Sequence, residues 1–189
     1  MSAQLADILR AEGITRVSLA GISLGGLIAQ HFAVYYPQNI DRLVLIDTTL
    51  HYTDELPAMW VERARTARTV GVGAMVPNLL KIWFSDACLA RDPPEVRYVR
   101  QVLLKTSGEG YALACEALSA ADLRADVAKI RTPTLVMCGE DDIPSFLDSA
   151  RWLASNIAGA KLAWLPQARH ASVLECPDLA KKLLSDFLD

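Results

Sequence analysis

Several features that would place a chain in a simple class are missing here. No apolar run of bilayer length is free of glycine and polar interruption. Yet hydrophobic residues make up 52% of the 189 residues, and mean hydropathy is +0.21. Such residues are expected to fill a strongly buried core instead of facing lipid. The opening stretch "MSAQLADILRAEG" lacks the basic, apolar, small-residue order of a secretion signal. No Lys/Arg-rich stripe occurs, and the net charge is −3, which argues against nucleic acid as a partner. The four cysteines (Cys88, Cys115, Cys138 and Cys176) fall in no metal-binding spacing. They read as reduced thiols, with a cytoplasmic location and no metal or other cofactor expected. Histidine is scarce, so a general base has only three candidates: His31, His51 and His170.

Short apolar blocks alternate with helical patterns. Residues 3–12 read as a helix, "TRVSLA" (15–20) as a strand, and 24–36 as a helix stopped by Pro37. "RLVLID" (42–47) and "TPTLVMCG" (132–139) are nearly continuous apolar runs, as strands buried on both faces require. A helix over 145–156, a strand "AKLAWLP" (160–166) and an amphipathic helix over 177–188 complete the series. Strands alternating with helices predict parallel βαβ units, hence an α/β fold with a mostly parallel sheet. The stretch 54–124 carries helical patterns with scattered breakers and is too long for a simple crossover. It reads as an inserted helical cap. The expected division is 1–50 and 126–189 for the core and 51–125 for the cap.

"GISLGG", at the end of the first strand, is a Gly-x-Ser-x-Gly turn between a strand and a helix, the pattern of a nucleophile elbow. Gly21 and Gly25 would let strand and helix backbones approach closely, and Ser23 would be held with its hydroxyl exposed. The Leu24 N–H would then point at a developing oxyanion. The plainer reading makes Ser23 a helix N-cap and the glycines packing residues. A serine nucleophile needs a base, and the base needs an orienting acid. His170, in "QARHASVLECP" after the last strand, is the favoured base. His31 lies mid-helix, and His51 follows the second strand. Asp142, ending "CGEDD", is the favoured acid. Asp141 and Asp47 also sit at strand ends and stay open as alternatives, with helix capping and loop N–H bonds as their plainer roles. Glu140 and Glu175 read as structural or solvated.

At these residues the chain resembles the α/β-hydrolase superfamily and, within it, the 3-oxoadipate enol-lactonases. "VSLAGISLGGLIAQHFAVYYPQNIDRLVLIDTT" is similar to that family's elbow and following strand, and "ARHASVLECPDLAKKLLSDFL" to its histidine loop and last helix. The cap stretches "LLKIWF" and "SGEGYALACEAL" carry the enol-lactonase resemblance. It implies Ser23, Asp142 and His170 as a catalytic triad, Leu24 as an oxyanion donor, Trp83 as a cap residue over the substrate, and no cofactor. The family's reaction is enol-lactone hydrolysis in aromatic-compound catabolism. An enol-lactone carboxylate would want a cation, for which Lys81, Arg63, Arg65 and Arg68 are candidates.

Two departures from the family accompany the resemblance. "DDIPSF" stands where a Thr-Pro pair is commoner after the acid. No counterpart precedes the elbow strand for the fold's first four strands or for the loop giving the second oxyanion donor, so a C-terminal part of the fold is expected. Losing one such donor costs on the order of 10²–10³ in kcat. An open edge at residues 16–20 would invite self-association. The expected partner is therefore a small ester or lactone, with no nucleic acid and no membrane. The alternatives are a general carboxylesterase, cofactor-free perhydrolase chemistry, or an impaired hydrolase acting as a binding remnant.

Overall fold

The computed structural model describes residues 1–52 and 56–189. Helix α1 (Ser2–Ala11) leads into β1 (Val17–Ile22), α2 (Leu24–Tyr35) and β2 (Ile40–Ile46). Helices α3 (Leu56–Thr69), α4 (Val76–Trp83), α5 (Asp86–Arg91), α6 (Pro94–Lys105) and α7 (Gly108–Ser119) follow. Then come β3 (Thr134–Gly139), α8 (Pro144–Asn156), β4 (Lys161–Leu165), the short α9 (Ser172–Glu175) and α10 (Pro177–Leu188). The four strands form one parallel sheet in the order β1-β2-β3-β4.

Alternation along the strands explains the layers. Leu43 and Leu45 of β2, with Val136 and Cys138 of β3, enter the core shared with α2, α8 and the five-helix block. Val44 and Ile46, with Leu135 and Met137, face the opposite way, onto Ala180, Leu183, Leu184 and Phe187 of α10. Strands covered on both faces need apolar residues at every position, which is why "LVLI" and "LVMC" read as unbroken runs. β1 lies at the end of the sheet, with Ser18, Ala20 and Ile22 exposed. It runs through Gly21 and Ile22, beyond the expected stop at Ala20, because both residues stay in register with Leu45 and Ile46. No helix among the described residues is long and apolar enough to cross a membrane.

All four strands point the same way, so their carboxyl ends share one rim of the sheet. Ser23 follows β1, Asp47 follows β2, Asp142 follows β3, and His170 lies in the loop after β4. Ligand sites of open α/β sheets lie at such a rim.

Candidate active site

The elbow is built from two strand ends. Ser23 has φ 52° and ψ −117°. That left-handed conformation costs a non-glycine residue about 1–3 kcal/mol and persists only where neighbours enforce it. The neighbours here belong to β2 and the residues after it. Ser23 N–H donates to the Ile46 carbonyl at 2.9 Å, and the Thr48 hydroxyl donates to the Ser23 carbonyl at 2.7 Å. The Ser23 side chain makes no capping bond to α2, which leaves its hydroxyl free for another partner.

The glycine pattern works differently from the expectation. A β-carbon on Gly21 would collide with the backbone of Gly25 and Gly26, so Gly21 allows the close approach. Gly26 does the same against Thr48, whose side chain would lie 2.5 Å from an added β-carbon. Gly25 has open space at that position and contributes no clearance of its own.

Oγ of Ser23 lies 3.0 Å from Nε2 of His170, and Nδ1 of His170 lies 2.9 Å from Oδ2 of Asp142. An ionised carboxylate only accepts, so Nδ1 carries the imidazole proton and Nε2 accepts from the serine hydroxyl. The other Asp142 oxygen accepts the Ile143 N–H at 2.7 Å. Asp142 and His170 are both buried. The Phe146 ring lies 4.5 Å from the imidazole, centre to centre. Leu24 opens α2, and its N–H is among the first-turn donors that have no partner inside a helix.

The other candidates lie elsewhere. The His31 ring pairs with the Ser2 hydroxyl at 2.8 Å and stacks on Tyr35. His51 bridges to Asp122, and its Nδ1 is buried without a partner. The Asp141 side chain is exposed, while its N–H holds the Ala168 carbonyl at 2.9 Å. Asp47 is buried beneath the site. One of its oxygens accepts the Gly139 N–H at 3.0 Å, and the other accepts from Ser172, N–H at 3.2 Å and hydroxyl at 2.6 Å. It thereby joins the acid loop to the histidine loop. Burial, opposed by those hydrogen bonds and by His170, pushes the Asp47 carboxyl up to about 6.

Asp47, Cys138 and Asp142 place donor atoms within 4.8 Å of one another, the one such buried cluster among the described residues. All three groups already have other partners or surroundings: the Asp47 and Asp142 carboxylates accept N–H groups, Asp142 holds the imidazole, and burial pushes the Cys138 thiol up.

A cavity of about 210 Å³ opens on the pair, lined by Ile22, Ser23, Trp83, Val99, His170, Ala171 and Leu174. Larger cavities exist: about 310 Å³ beside Met1 and His31, and about 410 Å³ beside His51 and Trp152. Neither contains Ser23 or His170, so the smaller one is the candidate site. Trp83, expected as a cap residue over the substrate, lines the same cavity as Ser23 and His170. The four expected cations do not line this cavity. Arg65 pairs with Glu62, and Arg68 pairs with Glu109 and Glu116. Arg63 lies over the Trp60 ring, and it lines a separate depression with Lys81.

Residues 1–177 match the family described as serine aminopeptidase, S33. The chain belongs to that family. Its parallel four-stranded sheet flanked by helices is that of an α/β-hydrolase fold. This S33-family chain is 29% identical over 164 residues to 3-oxoadipate enol-lactonase 2 of Acinetobacter baylyi. That match covers 87% of the chain and 60% of the relative, so the chain spans well under two thirds of that protein's length. Among solved structures, the enol-lactonase from Burkholderia xenovorans LB400 superposes with TM-score 0.93 at 35% identity. It covers 99% of this chain and 71% of that one. A hydrolase from Pseudomonas aeruginosa PA01 gives TM-score 0.93 at 34% identity, covering 99% of this chain and 70% of its own.

Sequence reasoning missed Thr48, Ser172, Gly139 and Arg169; Glu175, read as structural or solvated, bonds Ser85 and the Arg169 N–H. A β-carbon on Gly139 would strike the Ala168 and Arg169 carbonyls, so this glycine lets the histidine loop cross the end of β3. The one available signal was the Asp-Thr-Thr that follows β2; the others act through contacts distant in sequence.

Proposed function

We propose that the chain hydrolyses a carboxylic ester or lactone through a covalent acyl-serine. The observation that carries this reading is the continuous line from Ser23 Oγ through His170 to Asp142, at 3.0 and 2.9 Å. His170 takes the Ser23 proton as Oγ attacks the acyl carbon. The oxyanion forms beside the Leu24 N–H, at the positive end of α2. His170 then gives the proton to the departing oxygen. Water, deprotonated by His170, attacks the acyl-serine, releasing the acid and restoring the hydroxyl. Asp142 holds the tautomer and stabilises the imidazolium. An enol-lactone is the substrate class that the named relatives favour, and aromatic-compound catabolism is its setting.

One observation favours a plainer apolar ester. His170 is the sole titratable side chain among the described residues lining the cavity, and no cation meets a substrate carboxylate there. Turnover of an enol-lactone and of a phenyl acetate by the parent chain and by Ser23→Ala tests both readings. The proposal expects at least one substrate to be cleaved and Ser23→Ala to lose that activity by at least 10³-fold, on the order seen when a triad nucleophile is removed. Equal rates for parent and variant contradict it. Hydrolysis of phenyl acetate without the enol-lactone selects the carboxylesterase reading. No turnover of either substrate leaves the binding-remnant reading.

A further inference from the structure

The two residues flanking His170 both hold the cap. Ala171 N–H donates to the Trp83 carbonyl at 2.7 Å. The Arg169 guanidinium donates to the Lys81 carbonyl at 2.8 Å and the Phe84 carbonyl at 3.3 Å, where α4 ends and leaves carbonyls without helical partners. Glu175 closes the circuit. One of its oxygens accepts the Arg169 N–H at 2.8 Å; the other accepts the Ser85 N–H at 2.9 Å and the Ser85 hydroxyl at 2.5 Å. Ser85 in turn caps α5. Phe84, between Trp83 and Ser85, is completely buried, so the α4–α5 junction cannot swing freely. The Arg169–Asp86 pair at 3.2 Å adds little, because Asp86 is well exposed.

We infer that Arg169 and Glu175 are positioning residues that lock the Trp83 wall to the loop of His170 and so set which acyl groups fit against Ser23. This deepens the proposed ester or lactone hydrolysis and rests on it. None of these bonds touches Ser23, Asp142 or the imidazole ring. They fix instead the relation between the wall and the base, which both line a cavity of only about 210 Å³. Cutting the lock therefore alters fit more than chemistry. A residue that mattered only for folding would lower all rates together.

The test uses Arg169→Met, Glu175→Gln and Arg169→Lys in the full chain, with p-nitrophenyl acetate and octanoate as probes. Amide hydrogen exchange at Ser85 and Ala171 is followed alongside. Cutting the lock loosens the junction that holds both amides, so exchange there is expected to speed by about the tenfold that one hydrogen bond is worth. In Arg169→Met and Glu175→Gln, the octanoate-to-acetate ratio of KM should shift at least about threefold, while kcat for acetate stays within about twofold. Arg169→Lys, which still offers a donor to the last carbonyls of α4, should recover part of the ratio. A parent-like ratio in both variants overturns the inference, as does a proportional fall in kcat/KM for both esters. If the parent chain cleaves neither ester, the hydrolase reading has failed separately. Exchange then decides the lock: faster exchange at Ser85 and Ala171 supports it, and parent-like exchange overturns it.

Discussion

The carbonyl oxygen of Gly25 occupies the space that a β-carbon on Gly21 would need. Two glycines of one short motif thus have unequal roles. Gly21→Ala must push apart the backbones of β1 and α2, and no flexible side chain can absorb the strain. Overpacking of this kind costs about 1–3 kcal/mol. Gly25→Ala meets open space inside a helix, where alanine is favoured by up to about 1 kcal/mol. Urea unfolding of the two variants should show Gly21→Ala clearly destabilised and Gly25→Ala at or above the parent. The reverse order contradicts the elbow geometry.

Asp142 and Asp47 are both buried carboxylates at strand ends, but only Asp142 reaches the imidazole. Asp142→Asn would present an amide that can stabilise the wrong tautomer, so kcat should fall on the order of 10⁴-fold. Ester turnover by the variant, with its fold checked by circular dichroism, measures this. Retention of more than about a tenth of the parent rate contradicts the assignment.

Asp47 makes a prediction about pH. Its carboxyl is raised to about 6 in the folded chain from an ordinary 3.8, chiefly by burial. The folded chain therefore takes up a proton as the pH falls through about 6, while the unfolded chain waits until about 3.8. Between these values the folded state binds more protons, so acidification stabilises it at this site. Asp47→Asn cannot titrate and lacks this gain. The stability of the parent minus that of the variant, from urea unfolding, should be larger at pH 5 than at pH 7. A gap that shrinks at pH 5 contradicts the sign.

Much of this arrangement was legible in the sequence, for physical reasons that differ by element. β2 and β3 stand out because residues 43–46 and 135–138, covered on both faces, are all apolar and leave no alternation to blur the pattern. The elbow stands out because a tight strand-to-helix turn leaves few choices of residue at Gly21 and Ser23. The acid was legible as a preference for Asp142 with alternatives left open, since Asp47, Asp141 and Asp142 all follow strands and only loop paths separate them; the structure brings Asp142 to the imidazole. Gly139, which lets the histidine loop pass over β3, reads in the sequence as an ordinary strand end. Arg169 was illegible, and Glu175 legible only as structural or solvated, because the cap partners of both lie roughly 85–90 residues away in the chain. The cations expected for a substrate carboxylate misled because Arg65 and Arg68 already pair with glutamates on the cap surface.

Arg68 joins α3 to α7 through Glu109 and Glu116 on the exposed face. The Arg68 fork is bidentate on Glu109 and also holds Glu116, the kind of exposed network that contributes measurably. Arg68→Ala should leave KM for an ester or enol-lactone unchanged and lower the melting temperature by a few degrees at most. A large rise in KM confined to a carboxylate-bearing substrate would restore Arg68 as a substrate-binding residue.

The proposed nucleophile is tested most directly by treating the chain with a fluorophosphonate and locating the adduct by mass spectrometry. A strained serine hydroxyl 3.0 Å from an imidazole nitrogen should be the modified group. The account predicts one phosphonyl group on Ser23, lost in His170→Ala. A folded chain that stays unlabelled, or that labels elsewhere, contradicts it.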